Sequence, residues 1–233
     1  SGVQTCALPI SHMRFGQKVT AANWDSRKAL WTVTMEDESG TISTLQGRFL
    51  FLGAGYYDHD NPHDAEIPGI DSFGGTVIHP QFWPQGFDHA GKRVVVIGSG
   101  ATAVTVVPAM AETAAHVTML QRTPTWYGQR PSEDRFALFL RKILPERSAY
   151  GLTRWKNIHL HQFLFRRARE RPEGVGRFLL GKVREAVGEE LFRAEDFTPP
   201  YGPWEQRLCL VPDGDLFTAI REGRASVVTG RSE

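Results

Sequence analysis

The sequence predicts an α/β fold in which an α-helical block interrupts a parallel strand–helix–strand domain. Three observations carry this prediction. Val94-Val95-Val96-Ile97 is a short continuous apolar run. It enters a small-residue turn, Gly98-Ser99-Gly100-Ala101-Thr102-Ala103, and a helical stretch and a second strand, Val117-Thr118-Met119-Leu120, follow within about 30 residues. From Pro131 the apolar period lengthens to that of helices, and Leu208-Cys209-Leu210-Val211 restores strand character.

Composition bounds the answer. At 233 residues with 41% apolar content, the chain can fill one large core or two modest ones. Its 27 basic and 26 acidic side chains leave a net charge of +1, which gives no electrostatic case for a nucleic-acid partner. No apolar run approaches the roughly 18 residues of a membrane helix. Two cysteines, Cys6 and Cys209, cannot build a disulfide framework, and a cytoplasmic setting is expected. Residues 2–10, GVQTCALPI, resemble the translation of a sequencing adapter, so residues 1–10 are set aside as an expected artefact. With Val227-Val228 close to the other end, the chain reads as interrupted on both sides.

The elements follow in order. Residues 13–20 and 30–35 have strand character, the second through alternation of Trp31, Val33 and Met35 with Thr32 and Thr34. Glu38-Ser39-Gly40 is a turn signal, and residues 41–45 return as a hairpin partner. Arg48-Phe49-Leu50-Phe51-Leu52 suits a strand buried on both faces. Gly53-Ala54-Gly55-Tyr56-Tyr57-Asp58 begins like a dinucleotide turn, but Asp58 occupies the third small position and turn-forming sequence follows. The helix after Gly100 is expected to reach about Glu112, kinked or weakened at Pro108. Ser132 is the expected cap of the next helix, with Glu133 and Asp134 in its first turn. Phe136, Phe139, Leu140, Ile143 and Leu144 form one apolar stripe. Helices are expected over 152–169 and 174–192, a break at 198–203, and a short helix over 215–222.

The residues that can carry chemistry centre on the glycine turn. Gly98 allows the tight turn, Gly100 lets backbone approach a pyrophosphate, and small Ala103 permits close helix–sheet packing. The helix N-terminus, with Ser99, Ala101 and Thr102, offers N–H groups to phosphates. Ordinary tight packing is the alternative for such glycines. Gln121-Arg122-Thr123 closes the second strand, where NAD sites place an acid. A guanidinium at Arg122 suits a 2′-phosphate, which favours NADPH, and a solvated surface arginine is the alternative. Asp58, His59, Asp60, His63 and Asp64 read as a solvated loop, so no metal site is assigned. His159 and His161 diverge on a helix, and Cys209 reads as buried and inert. Residues 135–171 carry ten Lys/Arg against two acids. That basic insert reads as a solvated helical face, with weak peripheral membrane contact as the alternative.

Phe73-x-Gly75-x-x-x-His79-x-x-x-Trp83-Pro84 matches the fingerprint of Baeyer–Villiger monooxygenases, and it lies just before the Gly98 turn, as it does in that family. The chain resembles this family from about residue 11 to 231. Within the family it is most similar to the ethionamide-activating group, through residues 94–122, Arg154-Trp155-Lys156-Asn157 and Pro203-Trp204-x-Gln206-Arg207-Leu208-Cys209-Leu210-Val211-Pro212. The resemblance implies a Rossmann-like fold binding two dinucleotides, FAD and NADPH, of which this chain holds part. Residues 11–90 would be the end of the first FAD-domain segment, 91–130 and 201–233 the NADPH domain, and 131–200 a helical insertion. It also implies that NADPH reduces FAD, that a C4a-peroxyflavin forms with O2, and that a ketone or a sulfur-containing substrate is oxygenated. Arg207 would stabilise the anionic peroxide and help bind nicotinamide; a structural arginine paired with a carboxylate is the alternative. His79 would link the nucleotide domains, and Gly55 and Tyr56 would pass the flavin. With no FAD-type glycine turn in view, the fragment alone is expected to be inactive. A flavin-dependent N- or S-monooxygenase, an NADPH-dependent flavin reductase and a non-catalytic NADPH-binding module are the other readings.

Overall fold

In the first part of the chain, the alternating residues around Trp31 build the centre of an antiparallel sheet. β1 (Gln17–Asp25), β2 (Leu30–Asp37) and β3 (Ile42–Gly47) lie in the order β1-β2-β3, with Trp24 opposite Trp31. The computed structural model describes residues 12–55, 57–58, 60–62 and 65–230. The β2–β3 turn is closed by Asp37, whose carboxylate accepts from the backbone N–H of Ser39 and of Thr41, each at 2.9 Å. β1 starts at Gln17, later than residue 13, and a register shift between Val19 and Ala21 bends it. Residues 48–52 do not form the expected buried strand. Phe49 and Phe51 are 87% and 84% exposed, because no strand among the described residues pairs with that backbone.

The chain divides into two compact units, residues 1–61 and 62–233. In the second unit, β4 (Arg93–Ile97), α1 (Ala101–Met110) and β5 (His116–Gln121) form the expected parallel unit, and β8 (Ala225–Thr229) extends it in the order β4-β5-β8. A second parallel pair, β6 (Trp126–Arg130) with β7 (Leu208–Pro212), stands beside it; β6 was not foreseen. The core gathers Val104 and Val107 of α1, Val117 and Met119 of β5, Val211 of β7, and Leu216 and Phe217 of α6 (Asp215–Arg221). α1 passes through Pro108 and ends two residues later, short of Glu112.

The helical block comprises α2 (Arg135–Ile143), α3 (Glu146–Glu170), α4 (Pro172–Val187) and the short α5 (Ala194–Phe197). Asp134, not Ser132, caps α2: its carboxylate accepts from Phe136 N at 3.0 Å and Ala137 N at 3.2 Å. The Ser132 N–H donates instead to Asp213 Oδ1 at 3.0 Å, which ties the start of the block to the end of β7. Of the α2 stripe only Leu140 is buried, while Phe136, Phe139 and Ile143 stay exposed. α4 stops at Gly188, whose φ of +99° ends the helix before Phe192, and Phe192 then stacks on Phe197.

Candidate dinucleotide cleft

The glycine turn is built from both ends. Gly98 adopts φ +138°, a conformation that side chains disfavour, and its N–H donates to Leu120 O at 2.8 Å. Gly100 is the N-cap of α1, with no side chain capping the helix, and its carbonyl accepts the first helical bond from Val104 N. The N–H groups of Ala101, Thr102 and Ala103 therefore have no helical acceptor. Ala103 is buried against the sheet; Ala101 and Thr102 face outward.

A cleft of about 730 Å³ opens over this turn, lined by Ile97, Gly98, Ser99, Leu120, Arg122, Thr123 and Arg207 among others. Arg122 is exposed and has neither hydrogen bond nor ion pair among the described residues. Arg207, at the start of β7, reaches across to the turn. Its Nη2 donates to Ser99 Oγ at 3.1 Å, and its Nη1 lies 3.3 Å from where a Cβ on Gly100 would sit. No carboxylate pairs with Arg207 among the described residues, which leaves its charge to the cleft. The Ser99 hydroxyl donates to Thr123 O at 2.9 Å. A helix N-terminus and two guanidinium groups thus converge on one space, an arrangement that attracts an anion. Below it, burial pushes the Cys209 thiol up from its ordinary value, and its sulfur lies 3.9 Å from Ser99 O. Burial likewise raises the Tyr127 hydroxyl.

Residues 10–167 match the flavin-binding monooxygenase-like family, more than half of the chain. The chain belongs to that family. It is 44% identical over 223 residues to the FAD-containing monooxygenase EthA of Mycobacterium tuberculosis, covering 95% of this chain and 45% of that protein. It is 42% identical to EthA of Mycolicibacterium smegmatis over 94% of this chain and 44% of that protein. The chain spans about half the length of the curated relatives it matches. Among solved structures, OTEMO in complex with FAD and NADP aligns at TM-score 0.58 and 25% identity, over 94% of this chain and 48% of that one. Cyclohexanone monooxygenase from Rhodococcus sp. Phi1, bound to NADP+, shares the fold at TM-score 0.60 and 23% identity, over 94% and 46%.

Not every residue singled out in this flavin-binding monooxygenase-like chain reaches the cleft. Gln121 does not, as its side chain is 1% exposed and turned inward. Its Nε2 donates to Asp196 O at 2.7 Å and Thr229 Oγ1 at 3.0 Å, so Gln121 straps β5 to β8 and α5. The fingerprint residues Phe73, Gly75, His79, Trp83 and Pro84 lie in exposed loop and turn structure and do not line the cleft. Gly75 is fixed by Phe73, whose ring would stand 2.6 Å from an added Cβ. The His79 Nδ1 accepts from Gln81 N at 3.3 Å, and Trp83 meets Phe87 edge-on. Gly55, at φ +75°, belongs to the first unit; Tyr56, His59, His63 and Asp64 lie outside the described residues. The sequence reading missed Ile97, Leu120 and Gly230 as cleft walls. All three sit at carboxyl ends of parallel strands, where ligands of α/β sheets bind, and that rule would have found them.

Proposed function

We propose that the whole protein is an NADPH- and FAD-dependent monooxygenase of the Baeyer–Villiger type, and that the cleft over Gly98 holds its NADPH. The observation that carries this reading is the convergence of the α1 N-terminus with two guanidinium groups, Arg122 and Arg207, neither paired with a carboxylate among the described residues. These residues fit a dinucleotide. The glycine turn leaves room for a pyrophosphate, and N–H groups of residues 101–103 are available to it. Arg122 and Thr123, past the end of β5, would meet the 2′-phosphate, and an acid there would repel it. Arg207 would hold the pyrophosphate or nicotinamide end and contribute a fixed positive charge. His79, in the fingerprint loop, would help orient the nucleotide domains.

FAD, when bound, would supply hydride acceptance and O2 reduction. The overall balance is ketone, O2, NADPH and a proton giving ester, NADP+ and water, or the sulfoxide from a thioether. The names of the EthA relatives and of the NADP-bound cyclohexanone monooxygenase support the cofactor pair. Residues 91–130 with 201–233 form the NADPH domain in this reading, 131–200 its helical insertion, and 11–90 the end of an FAD-domain segment. A cytoplasmic setting goes with dependence on NADPH, a cofactor kept reduced inside cells. Among the described residues no helix is long and apolar enough to cross a membrane.

The test is turnover by the full-length protein. NADPH oxidation coupled to lactone from a cyclic ketone is expected, with NADH a poor donor. N-oxidation alone, or NADPH consumption without oxygenated product, would defeat the reading. A weak second contact, with an anionic membrane surface, is favoured by the exposed Phe136, Phe139 and Ile143 beside the basic residues of α2 and α3. Charge reversal at Arg166, Arg167 and Arg169 should abolish sedimentation with phosphatidylserine vesicles; unchanged sedimentation would remove this contact.

A further inference from the structure

We infer that Ser99 is a positioning residue: its hydroxyl fixes Arg207 over the glycine turn and thereby sets the affinity of the cleft for the dinucleotide. This rests on the NADPH reading above. Ser99 is 5% exposed, so water does not compete freely for its hydroxyl. A serine hydroxyl has one proton, and here it goes to the Thr123 carbonyl at 2.9 Å. The oxygen lone pairs therefore face Arg207, whose Nη2 donates to them at 3.1 Å. The direction is forced, since a guanidinium has no acceptor.

The consequence is geometric. A long arginine side chain samples many rotamers, and here one of its five N–H donors is anchored while its Nη1 is held beside Gly100. The remaining donors stay available to a phosphate. The same hydroxyl grips Thr123, the chain neighbour of Arg122. One buried oxygen thus sets the placement of both cationic sides of the cleft, through a side chain on one side and the backbone on the other.

The experiment is a double-mutant cycle in the full-length protein, read by calorimetric titration of NADP+ and by melting temperature. Ser99→Ala should weaken NADP+ about five- to tenfold when Arg207 is present. In an Arg207→Ala background the same change should cost less than about twofold. The fall in melting temperature, which reports the Ser99–Thr123 bond, should be similar in both backgrounds. Ser99→Cys keeps the size and loses most of the acceptor strength, and repeats the comparison if alanine unfolds the turn. Equal losses of NADP+ affinity with and without Arg207 would overturn the positioning role and leave the NADPH reading intact. Absence of NADP+ binding by the wild-type protein would overturn both.

Discussion

Two regions of the second unit carry equally clear apolar patterns and meet opposite fates. In the β4–α1–β5 unit and the α6 helix packed on it, Val107, Val117, Met119 and Leu216 of α6 are at 0% exposure, and Val94 and Val96 of β4 are partly buried against them. In the α2–α3 hairpin, the stripe Phe136, Phe139 and Ile143 stays largely exposed although its helical spacing is as regular. The hairpin is held instead by polar contacts. Lys156 Nζ meets Asp134 Oδ2 at 2.7 Å, Asn157 adds a bond at 3.4 Å, and Lys156 lies over the Phe136 ring. Periodicity in a sequence reports which face of an element is apolar; what covers that face is decided elsewhere.

The comparison can be broken or sharpened by substitution, with equilibrium denaturation of the full-length protein as the first measure. Leu216→Ala, which empties a fully buried site, should cost about 2–5 kcal/mol. Phe139→Ala in the hairpin should cost well under that, about 0.5 kcal/mol or less, because the side chain is already 57% exposed. Similar losses at both sites would mean that the stripe has a cover in the whole protein.

On the cleft side, Arg122→Ala should weaken NADPH by about tenfold or more and leave NADH nearly unchanged. Equal losses for the two nucleotides would remove the 2′-phosphate contact. A smaller effect than those at Leu216 and Arg122 belongs to the hairpin cap. Asp134→Ala should destabilise by about 1 kcal/mol at neutral pH. The Asp134 carboxyl is held down to about 2 by its hydrogen bond from Lys156, against an ordinary value of 3.8. Its contribution is therefore complete above the ordinary value and is lost as pH falls through about 2. Titrating wild type and variant from pH 5 to pH 1.5 should bring their stabilities together at the acid end; a constant gap would assign the effect to something other than this ionisation.

The legible part of the fold was local. Strand β4, the Gly98 turn, α1 and β5 follow one another along the chain, and each announces itself by period or by small residues. β6 was invisible because Trp126-Tyr127-Gly128-Gln129-Arg130 has no alternation, and its partner β7 lies far along the sequence. Gly128 makes sense only in the pair, where Leu208 and Leu210 side chains would stand 3.2 Å from an added Cβ. The run at 48–52 failed in the other direction. Its composition asks for a strand, but a strand exists only with a neighbour to bond. At the site, Arg122 could be placed by counting from Gly98. The inward turn of Gln121 and the link from Ser99 to Arg207 could not, since both depend on contacts spanning 75 residues or more.

The distance along the chain between β6 and β7 has a further consequence, for the order of events in folding. Arg130 and Leu208 are joined by 77 residues, almost all of them in the helical block. Closing so long a loop is entropically costly until the intervening helices shorten it. β4, α1 and β5 need no such closure and should form early, whereas β7 must wait. In pulse-labelled refolding, amides of β5 should gain protection before those of β7. The glycine turn is then in place before Arg207 arrives at it, so the cleft acquires its shape first and the charge of Arg207 last.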